Sequence, residues 1–472
     1  MFRAFVNYST YIVLIAFLGV SCKKSSGVNI STQLFAVGQY VQDGDTLNSK
    51  NGSNGRSIQG TLKAGQTYYL ASDYADAVVN TGDTLLIQNG VTVLIVGPIS
   101  GSTAIGTQGH APGIVVKGTF LSIGTKSSPV LFTVQNTSLK SNPLLDPQSP
   151  NNDPAYKGYW GGIQGFVGSG DIIIKWTRLE YTGGLGPLND PYRPAKQRYG
   201  IWYQNPLGHF VLEDSWMYGT RDDFFRVTGG MFNIMRNTFE KCGYSAGDGN
   251  IKSGSIGDIA YNLVIVATGN SFKTSNSGGL SPQSNMNCYN NTIINSGYRQ
   301  ANAGEGGSID FENQGRGKAY NNLLVNCKYG LSILGSGSTT AGADTSNISY
   351  GNTYNYGDNL SITQQFLPSG FITLQKNTDI NGGNATVPGA NNPQFINYPL
   401  PVPVGYDFLG GSYQGNYNFH LMPSSPAIGK GFTGFLPYSK VRVDPIFGAT
   451  EITPPGSDIG CYQSNGSGNY HN

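Results

Sequence analysis

Seven residues share one position in a series of short segments, directly after a residue that is apolar in every case. The apolar residue is expected in the core, and the next side chain points outward because side chains alternate along a strand. Stacked at one strand spacing per coil, the outward residues form a line about 25 to 30 Å long. The predicted column consists of Gln164, Trp202, Arg226, Lys252, Lys273, Asp310 and Ser332.

An aromatic ring, three cations and a carboxylate in line suit an extended anionic chain. Arginine pairs bidentately with a uronate or sulfate group, lysine supplies a point charge, and tryptophan stacks on a sugar ring. A solvent-facing strand position is also polar in a protein without any ligand, because stacked charges pair along the sheet. The column therefore predicts polysaccharide binding, and a structural or adhesive surface protein is the alternative.

Two long insertions come just before strands of the column, at residues 183–199 and 297–307. Loops on a rigid scaffold are where binding sites usually form. We expect both insertions to rise as walls along one side of an exposed face.

An asparagine recurs in similar local sequence at positions 237, 262, 291, 322 and 352, with spacings of 25, 29, 31 and 30 residues. A repeat of this length is typical of one coil of a parallel β-helix. An amide at the same turn of each coil can bond to its equivalents above and below. The repeat therefore predicts an asparagine ladder, which Asp214 is expected to open.

Composition agrees with an elongated all-β fold. The chain has 472 residues, 67 of them glycine, and only 12% are charged. That length exceeds one compact domain, whereas a solenoid grows along its axis. The net charge of +2 gives no broad basic field, which argues against a nucleic-acid partner. A monomer is expected.

The cysteines and histidines do not indicate a metal or nucleophile site. Cys242 and Cys327 fall in a column of small residues three coils apart, too far for a disulfide, and are interpreted as buried fillers. No Cys-x-x-Cys pair suggests zinc. The scattered histidines have no serine or cysteine partner at a recognisable spacing and are interpreted as loop residues: His110, His209, His420 and His471.

The N-terminus is typical of an exported protein. Arg3 precedes the short apolar run 11–20, and small residues lead to Cys22. The segment resembles the lipobox of bacterial lipoproteins, which implies lipidation of Cys22 and an anchor in the outer membrane, on its periplasmic or outer side. The predicted organisation is a signal peptide at 1–22, a polar tether or N-terminal cap at 23–60, a parallel β-helix with a closing segment at 61–463, and a disordered tail at 464–472.

Several segments resemble the pectate-lyase-like right-handed β-helix lipoproteins of Bacteroidetes-type bacteria, over about residues 60 to 463. Opening coils of that kind are similar to the ranges Asp83–Val93, Gly118–Phe120, Gly124–Thr125, Pro129–Thr133 and Trp160–Ile163. Closing segments of that kind are similar to the ranges Asn392–Phe395, Phe419–Leu421, Ser425–Gly429 and Asp458–Tyr462. The resemblance implies the fold, because this superfamily contains lyases, hydrolases, esterases, epimerases and members without a known reaction.

The resemblance also implies a possible chemistry. In lyases of this superfamily a Lys or Arg removes the proton next to a uronate carboxylate, which Ca²⁺ or a cation neutralises. Lys252 resembles such a base, and crowding by Arg226 and Lys273 is expected to lower its pKa. Calcium binding would draw on Asp222, Asp223, Asp248, Asp310 and Glu312, and no metal site is assigned.

The leading hypothesis is an exported lipoprotein that binds an anionic, uronic-acid type polysaccharide without turnover. A polysaccharide lyase with Lys252 as base and Arg226 or Lys273 neutralising the substrate is the second. Hydrolysis would need two carboxylates across the scissile bond, and only Asp310 and Glu312 offer that pair within one strand. Gln164 and Glu312 are further candidate substrate contacts.

Overall fold

The computed structural model describes most of the chain from residue 41 onward. The predicted signal peptide and the lipidation site Cys22 lie outside the described residues, as do 23–40 of the predicted tether. The described residues are 41–48, 57–72, 75–97, 111–140, 152–191, 193–244, 247–301, 305–336, 341–383, 387–404, 406, 408, 417–438 and 452–471.

Three long parallel sheets wind around one core and form a parallel β-helix, as predicted. The strands are numbered β1 to β32 in chain order. Within the coils, every third strand returns to the same sheet. The first sheet contains β1 (Gly60–Leu62), β4 (Thr84–Ile87), β7 (Thr119–Ile123), β10 (Ile172–Lys175), β13 (His209–Glu213), β16 (Gly230–Met235), β19 (Ser255–Ala260), β22 (Asn285–Tyr289), β25 (Arg316–Tyr320) and β28 (Ile348–Gly351).

The second sheet follows the ladder turn of each coil. It contains β2 (Thr67–Ala71), β5 (Thr92–Val96), β8 (Val130–Val134), β11 (Thr177–Thr182), β14 (Trp216–Thr220), β17 (Thr238–Cys242), β20 (Leu263–Ala267), β23 (Thr292–Ile294), β26 (Leu323–Val325), β29 (Tyr354–Tyr356) and β30 (Ile380–Gly382).

The third sheet carries the predicted column. It contains β3 (Ala77–Val79), β6 (Ile114–Val116), β9 (Ile163–Gly165), β12 (Ile201–Tyr203), β15 (Phe225–Val227), β18 (Gly249–Ile251), β21 (Phe272–Ser275), β24 (Gly307–Glu312) and β27 (Tyr329–Ile333).

Helical structure is scarce in the described part of the chain. It comprises the short helix α1 (Leu360–Thr363) and 3₁₀ turns at Thr137–Leu139, Pro154–Tyr156 and Thr345–Asn347. Strands β31 (Phe395–Asn397) and β32 (Asn418–Leu421) pair antiparallel beyond the last coil. No helix of the described residues has the length and apolarity needed to cross a membrane.

The core is built from inward side chains that stack coil upon coil. Phe225, Phe239 and Phe272 lie with ring centroids 5.7 to 6.3 Å apart, and all three side chains are fully buried. Strands such as β2 and β5 alternate between buried and partly exposed residues, whereas strands such as β12 and β20 are buried along their whole length. Alternate side chains of a strand point to one face, so the apolar alternation of the sequence indicates which face is inside. Burial of these aliphatic and aromatic side chains is the main stabilising contribution.

The asparagine ladder is present over four coils. The Nδ2 of Asn237 donates to the Oδ1 of Asn262 at 2.9 Å, and Asn262 and Asn291 donate in the same way to Asn291 and Asn322 at 3.0 and 2.9 Å. All four asparagines are fully buried. The amides therefore satisfy turn groups that water cannot reach.

At both ends of the ladder, the predicted residue lies one position before the residue that occupies the ladder position. Asn352 aligns with Asn321 because Tyr320 pairs with Gly351, so Thr353 takes the ladder position. At the other end Ser215 takes it, and its backbone N–H donates to Asn237. Asp214 instead pairs with the buried guanidinium of Arg236 at 2.7 Å.

Both termini of the helix are tied down. Residues 41–48 pack on the first coil, where Leu47 donates to the Tyr69 carbonyl at 2.8 Å, so this part of the predicted tether is a cap. The prediction of a disordered tail is wrong for 464–471. His471 is 4% exposed and stacks on Trp216 at 3.8 Å, because the tail covers an otherwise open aromatic surface at the ladder turn.

Cys242, Cys288, Cys327 and Cys461 are free and buried, which agrees with the interpretation of Cys242 and Cys327 as buried fillers.

Candidate functional site

Over the seven coils of the predicted column, the outer column of the third sheet differs from it in a single coil, and two further coils precede these seven. In the hydrogen-bonded register Arg226 pairs with Asn250, and Asn250 pairs with Lys273, so Lys252 is not in the column. The observed column is Val78, Val115, Gln164, Trp202, Arg226, Asn250, Lys273, Asp310 and Ser332.

The physical reason lies at Gly249. Phe225 and Phe272 pair with Gly249 in the core, whereas the predicted column requires Ile251, the apolar residue before Lys252, at this core position. A Cβ at Gly249 would lie 2.6 Å from the Phe225 ring and 2.9 Å from the Phe224 ring. The phenylalanine rings therefore fill the space of the missing side chain, and the apparent apolar match is shifted by two residues.

Lys252 nevertheless faces the same side of the sheet. It follows Asn250 by two residues, and alternate residues of a strand share a face. Its backbone N–H donates to the carbonyl of Val227 in the preceding coil at 2.8 Å. Lys252 thus lies beside the column, between the coils that carry Arg226 and Lys273.

The prediction of an open, solvent-exposed column is wrong. Of the seven column members from Gln164 to Ser332, six are at most 9% exposed. The least covered cations are Arg226, with 25% of its side chain exposed, and the half-buried Lys252. The six covered members are Gln164, Trp202, Asn250, Lys273, Asp310 and Ser332.

The side chains of Gln164 and Trp202 are engaged in contacts within the protein. The amide of Gln164 donates to the carbonyls of Gly161 and Tyr199 at 2.8 and 2.7 Å. Trp202 meets the Tyr199 ring edge to face at 5.2 Å and is 8% exposed. Neither residue offers the free amide or open aromatic platform that the sequence predicts.

Two arginines and two aspartates enclose Tyr199. The guanidinium groups of Arg193 and Arg226 lie 3.9 and 4.2 Å from the centre of its ring. Arg226 pairs with Asp223 at 2.8 Å, and Arg193 pairs with Asp222 at 2.7 Å. Cation–π contacts and ion pairs therefore hold both arginines in fixed positions.

Lys273 is surrounded by acidic residues. Its ammonium lies 3.1 Å from Asp248 and 3.6 Å from Glu312. Burial lowers the pKa of this lysine, but Asp248, Glu312 and Asp310 outweigh burial, so the pKa of Lys273 is raised. Lys273 therefore stays charged and is committed to these carboxylates.

Asp310 is a buried carboxyl group with one unpartnered oxygen. It is 5% exposed, and its Oδ1 has no hydrogen-bond partner. Burial first, and the neighbouring Glu312 second, raise the pKa of Asp310 well above its usual range. The carboxyl group of Asp310 consequently favours the protonated state.

Lys252 has the opposite electrostatics. No carboxylate of the described residues forms an ion pair with its ammonium group. Burial, and then the positive charges of Arg226 and Lys273, lower the pKa of Lys252 to about 8. A lysine of this pKa is about one tenth neutral at pH 7, so it can accept a proton.

The donor set does not fit a bound calcium ion. Calcium takes six to eight oxygens, chiefly from carboxylates that are free to face it. Here Asp223 is paired with Arg226, while Asp248 and Glu312 are paired with Lys273. Among the described ranges no group of three or more Asp, Glu, His or Cys side chains is placed to hold a metal.

The environments of Asp310 and Glu312 do not suit hydrolysis either. Both face outward from β24, but Glu312 is engaged by Lys273 and Asp310 is almost fully buried. A hydrolase needs both carboxylates open to the scissile bond and to water.

Sequence reasoning missed Tyr199 and Asn250 as parts of this site. It also considered Asp223 and Asp248 only as candidate calcium ligands, although they recur one coil apart. The backbone N–H of Asp248 donates to Asp223 at 3.0 Å, and that of Asn270 donates to Asp248 at 2.7 Å. The spacings of 25 and 22 residues between positions 223, 248 and 270 were the available signal of this second ladder.

Comparison with known proteins adds little to this geometry. No protein-family profile matches the chain, and no curated protein matches it. Among solved structures, the chain is similar to the crystal structure of pectate lyase Pel9A, with 14% sequence identity and a TM-score of 0.27. The similarity covers 85% of this chain and 96% of that one.

Proposed function

We propose that this protein is an exported polysaccharide lyase that cleaves a uronic-acid polysaccharide by β-elimination at the outer face of the third sheet. The observation that carries the proposal is Lys252, a half-buried lysine without an ion-pair partner whose pKa is lowered to about 8. A general base works best with a pKa near the operating pH.

Lys252 supplies the base. Its neutral amine takes the proton on the carbon next to the uronate carboxylate, and becomes an ammonium group. The electron pair of that C–H bond forms a carbon–carbon double bond, and the bond to the glycosidic oxygen breaks. The departing oxygen takes up a proton from water, and the hydroxide that remains takes the proton from the Lys252 ammonium, which restores the neutral amine. The products are an unsaturated uronate and a new chain end.

Arg226 is suited to neutralise the substrate carboxylate. A guanidinium carries five N–H donors, and Asp223 engages the Nε and one terminal nitrogen of Arg226. A quarter of the side chain is exposed. The remaining donors can pair with a carboxylate while Asp223 and Tyr199 hold the group in place. Lys273 is less suited because Asp248 and Glu312 already surround it.

Binding without turnover is the second candidate. It is favoured by the ion pairs of Arg226 and Lys273. Of the three neighbouring cations Arg226, Lys252 and Lys273, Lys252 is then the one whose charge no ion pair with a described carboxylate neutralises. In this case Lys252 would be a charge contact only. A structural protein without a ligand site is the third possibility, and the same experiment separates the three.

The experiment is a continuous assay of the short-wavelength ultraviolet absorbance of unsaturated uronate, with a panel of uronic-acid polysaccharides and the soluble chain lacking residues 1–24. The lyase proposal expects a rise that Lys252→Ala abolishes. Lys117→Ala is the matched control, since Lys117 follows β6 as Lys252 follows β18 and its N–H donates to Val79 in the same way.

Each other outcome has a meaning. If a polysaccharide of the panel binds without a change in absorbance, and Lys252→Ala weakens that binding, the result supports the binding candidate and contradicts the lyase. If no polysaccharide of the panel changes the absorbance or binds, either to the wild type or to Lys252→Ala and Arg226→Ala, the structural protein is the remaining candidate.

For localisation we propose anchorage to the outer membrane by lipid on Cys22, on the strength of the lipobox-like sequence that ends there. Mass spectrometry of the protein purified from membranes should find a lipidated Cys22 as first residue. The Cys22→Ala variant should instead appear in the soluble fraction, and an unmodified Cys22 in membrane-extracted protein would contradict the anchor.

A further inference from the structure

We infer that the protein has a second glycan-binding surface at the ladder turn, where two tryptophan rings and two cations are placed to hold an anionic polysaccharide without cleaving it. The surface lies at the start of the second sheet, whereas the proposed base follows β18 of the third sheet. It therefore goes beyond the proposed function and is present whether or not the protein is a lyase. We call it the turn platform, and it consists of Lys126, Trp176, Arg178, Trp216 and Tyr470.

Three successive coils assemble the platform. Arg178 of β11 is the register partner of Trp216 of β14, so both side chains lie next to each other on the outer face of the second sheet. Trp176 forms the turn before β11, and its carbonyl accepts the backbone N–H of Val130 in the preceding coil at 2.9 Å. Lys126 lies in the turn just before Val130. Coils are about 4.8 Å apart, close to the length of one sugar residue, so an extended glycan can contact all three.

The two tryptophan rings are fixed in position and partly open to solvent. Their centroids are 5.9 Å apart, and their planes are inclined by 53°. Buried His471 stacks on one face of Trp216 at 3.8 Å, so the open part of that ring belongs to its other face and its edge. A rigid, partly open aromatic ring can receive the apolar face of a sugar with little loss of side-chain freedom.

The position of Trp176 in the turn favours a role for its ring. Its φ of 48° lies in the left-handed region, where later coils place Asn290 and Asn321 at φ of 50° and 59°. Asparagine adopts this conformation at a lower cost than a bulky residue. Arg236 and Tyr261 hold the same position in two intervening coils, but both are fully buried, whereas Trp176 is partly exposed. The turn itself does not require an exposed aromatic ring, and strained positions of this kind occur at functional sites.

The two cations give the platform its preference for negative charge. The ammonium of Lys126 lies 5.6 Å from the centre of the Tyr470 ring, and both side chains are exposed. The side chain of Arg178 is 42% exposed and pairs with Glu180 through its Nε, so the terminal nitrogens can reach a ligand. Spaced cations beside aromatic rings suit a sugar chain with spaced carboxylates.

An anionic glycan fits this surface better than a nucleic acid or a membrane. Nucleic acid carries a charge on every unit and is bound by many cations, whereas Lys126 and Arg178 are the cations of the platform. Aromatic residues that anchor a protein in a membrane stand out from its surface. Trp176 and Trp216 are instead partly buried and packed against each other.

The test measures binding of soluble uronic-acid polysaccharides by calorimetry, with the chain lacking residues 1–24 and carrying Lys252→Ala so that the proposed base is absent. Trp176→Asn removes the ring and keeps a residue that tolerates the left-handed turn, and we expect it to weaken binding about three- to tenfold. Lys126→Ala should weaken binding about two- to fivefold. Lys63→Ala is the matched control and should change nothing, because Lys63 is an exposed lysine at the same turn of the first coil, paired with Asp43.

Three results would overturn the inference. The first is unchanged affinity in both Trp176→Asn and Lys126→Ala, and the second is equally tight binding of a neutral polysaccharide. The third is binding to vesicles of anionic lipid that Trp176→Asn abolishes, which would assign the rings to a membrane. Lys126→Ala alters only an exposed side chain, so it decides the matter if Trp176→Asn does not fold.

The outcome is separate from that of the absorbance assay. A flat absorbance trace combined with binding that depends on Trp176 contradicts the lyase and supports the platform. Cleavage by the wild type combined with unchanged affinity in Trp176→Asn and Lys126→Ala contradicts the platform and supports the lyase.

Discussion

Lys252 and Lys273 lie in adjacent coils and face the same side of the sheet, yet their environments move the pKa in opposite directions. Burial acts against the charge of both. Lys273 has Asp248 and Glu312 within 3.6 Å, whereas Lys252 has Arg226 and Lys273 as its strongest electrostatic neighbours. One residue is therefore fixed as a cation, and the other can exchange a proton near neutral pH.

The pH dependence of the proposed reaction follows from Lys252. The neutral amine is the reactive form, so the rate should rise about tenfold per pH unit below a pKa of about 8 and level off above it. Initial rates measured from about pH 6 to about pH 10 test this. A rate that falls over this range would require a protonated group in place of the amine.

Loss of the amine should be costly. General-base catalysis contributes about 10² to 10⁴-fold, so Lys252→Ala should lower kcat by that factor with a smaller change in KM. Lys117→Ala should change neither constant. Equal losses in both variants would assign the effect to general charge and not to a base.

Asp310 should reduce stability at neutral pH. Its folded pKa is raised, so the folded state holds a proton that the unfolded state has lost, and stability declines as pH rises from about 4 towards the folded value. Asp310→Asn should therefore have a larger free energy of unfolding than the wild type at pH 7, and a nearly equal one at about pH 4. Urea unfolding at both pH values measures the difference.

At the level of single elements, the ladder turn is more specific than its sequence suggests. Asn262 donates to Asn291 and to the Ile234 carbonyl, and accepts from the backbone N–H of Asn237. Asn352 has the same apparent motif but lies outside the ladder and is only half buried.

Substitutions should separate these two asparagines. Asn262→Ala leaves several buried groups without partners and should cost about 2 to 5 kcal/mol of unfolding free energy. Asn352→Ala loses one bond, to the Lys430 carbonyl, at a more accessible site and should cost less than about 1 kcal/mol. Chemical denaturation of both variants provides the comparison, and equal costs would contradict a role for the ladder.

The strand β18 shows why the sequence fixes the fold better than the site. The repeat places a strand there correctly, since Gly249–Ile251 is a strand of the third sheet. Its register is decided by the phenylalanine rings around Gly249, which lie in other coils. A shift of two residues leaves each side chain on the same face of the sheet, but it changes which polar side chain occupies the column position.

Across the whole molecule, coils contact mainly their neighbours, so stability is close to a sum of local terms. The C-terminal segment is an exception, because it returns along the ladder turn. Asn469 donates to the carbonyls of Asn237 and Tyr261, and His471 stacks on Trp216, in three different coils. The segment should therefore couple coils that otherwise unfold independently.

Truncation tests this coupling. Removal of residues 464–472 exposes Trp216 and leaves the carbonyls of Asn237 and Tyr261 with fewer donors. We expect the unfolding temperature to fall by several degrees and the thermal transition to broaden, as followed by circular dichroism. A transition unchanged in midpoint and width would show that the segment contributes nothing to cooperativity.

The sequence by itself determined the parallel β-helix, the approximate coil boundaries and the asparagine ladder, because period and alternation are local and repeat in every coil. It also indicated the face on which the charged residues gather. Tertiary structure alone decided which cations are free, since that depends on partners such as Asp223, Asp248 and Tyr199, which lie in neighbouring coils and entering loops. Burial and pairing are properties of the packed coils, so no repeat in the sequence could report them.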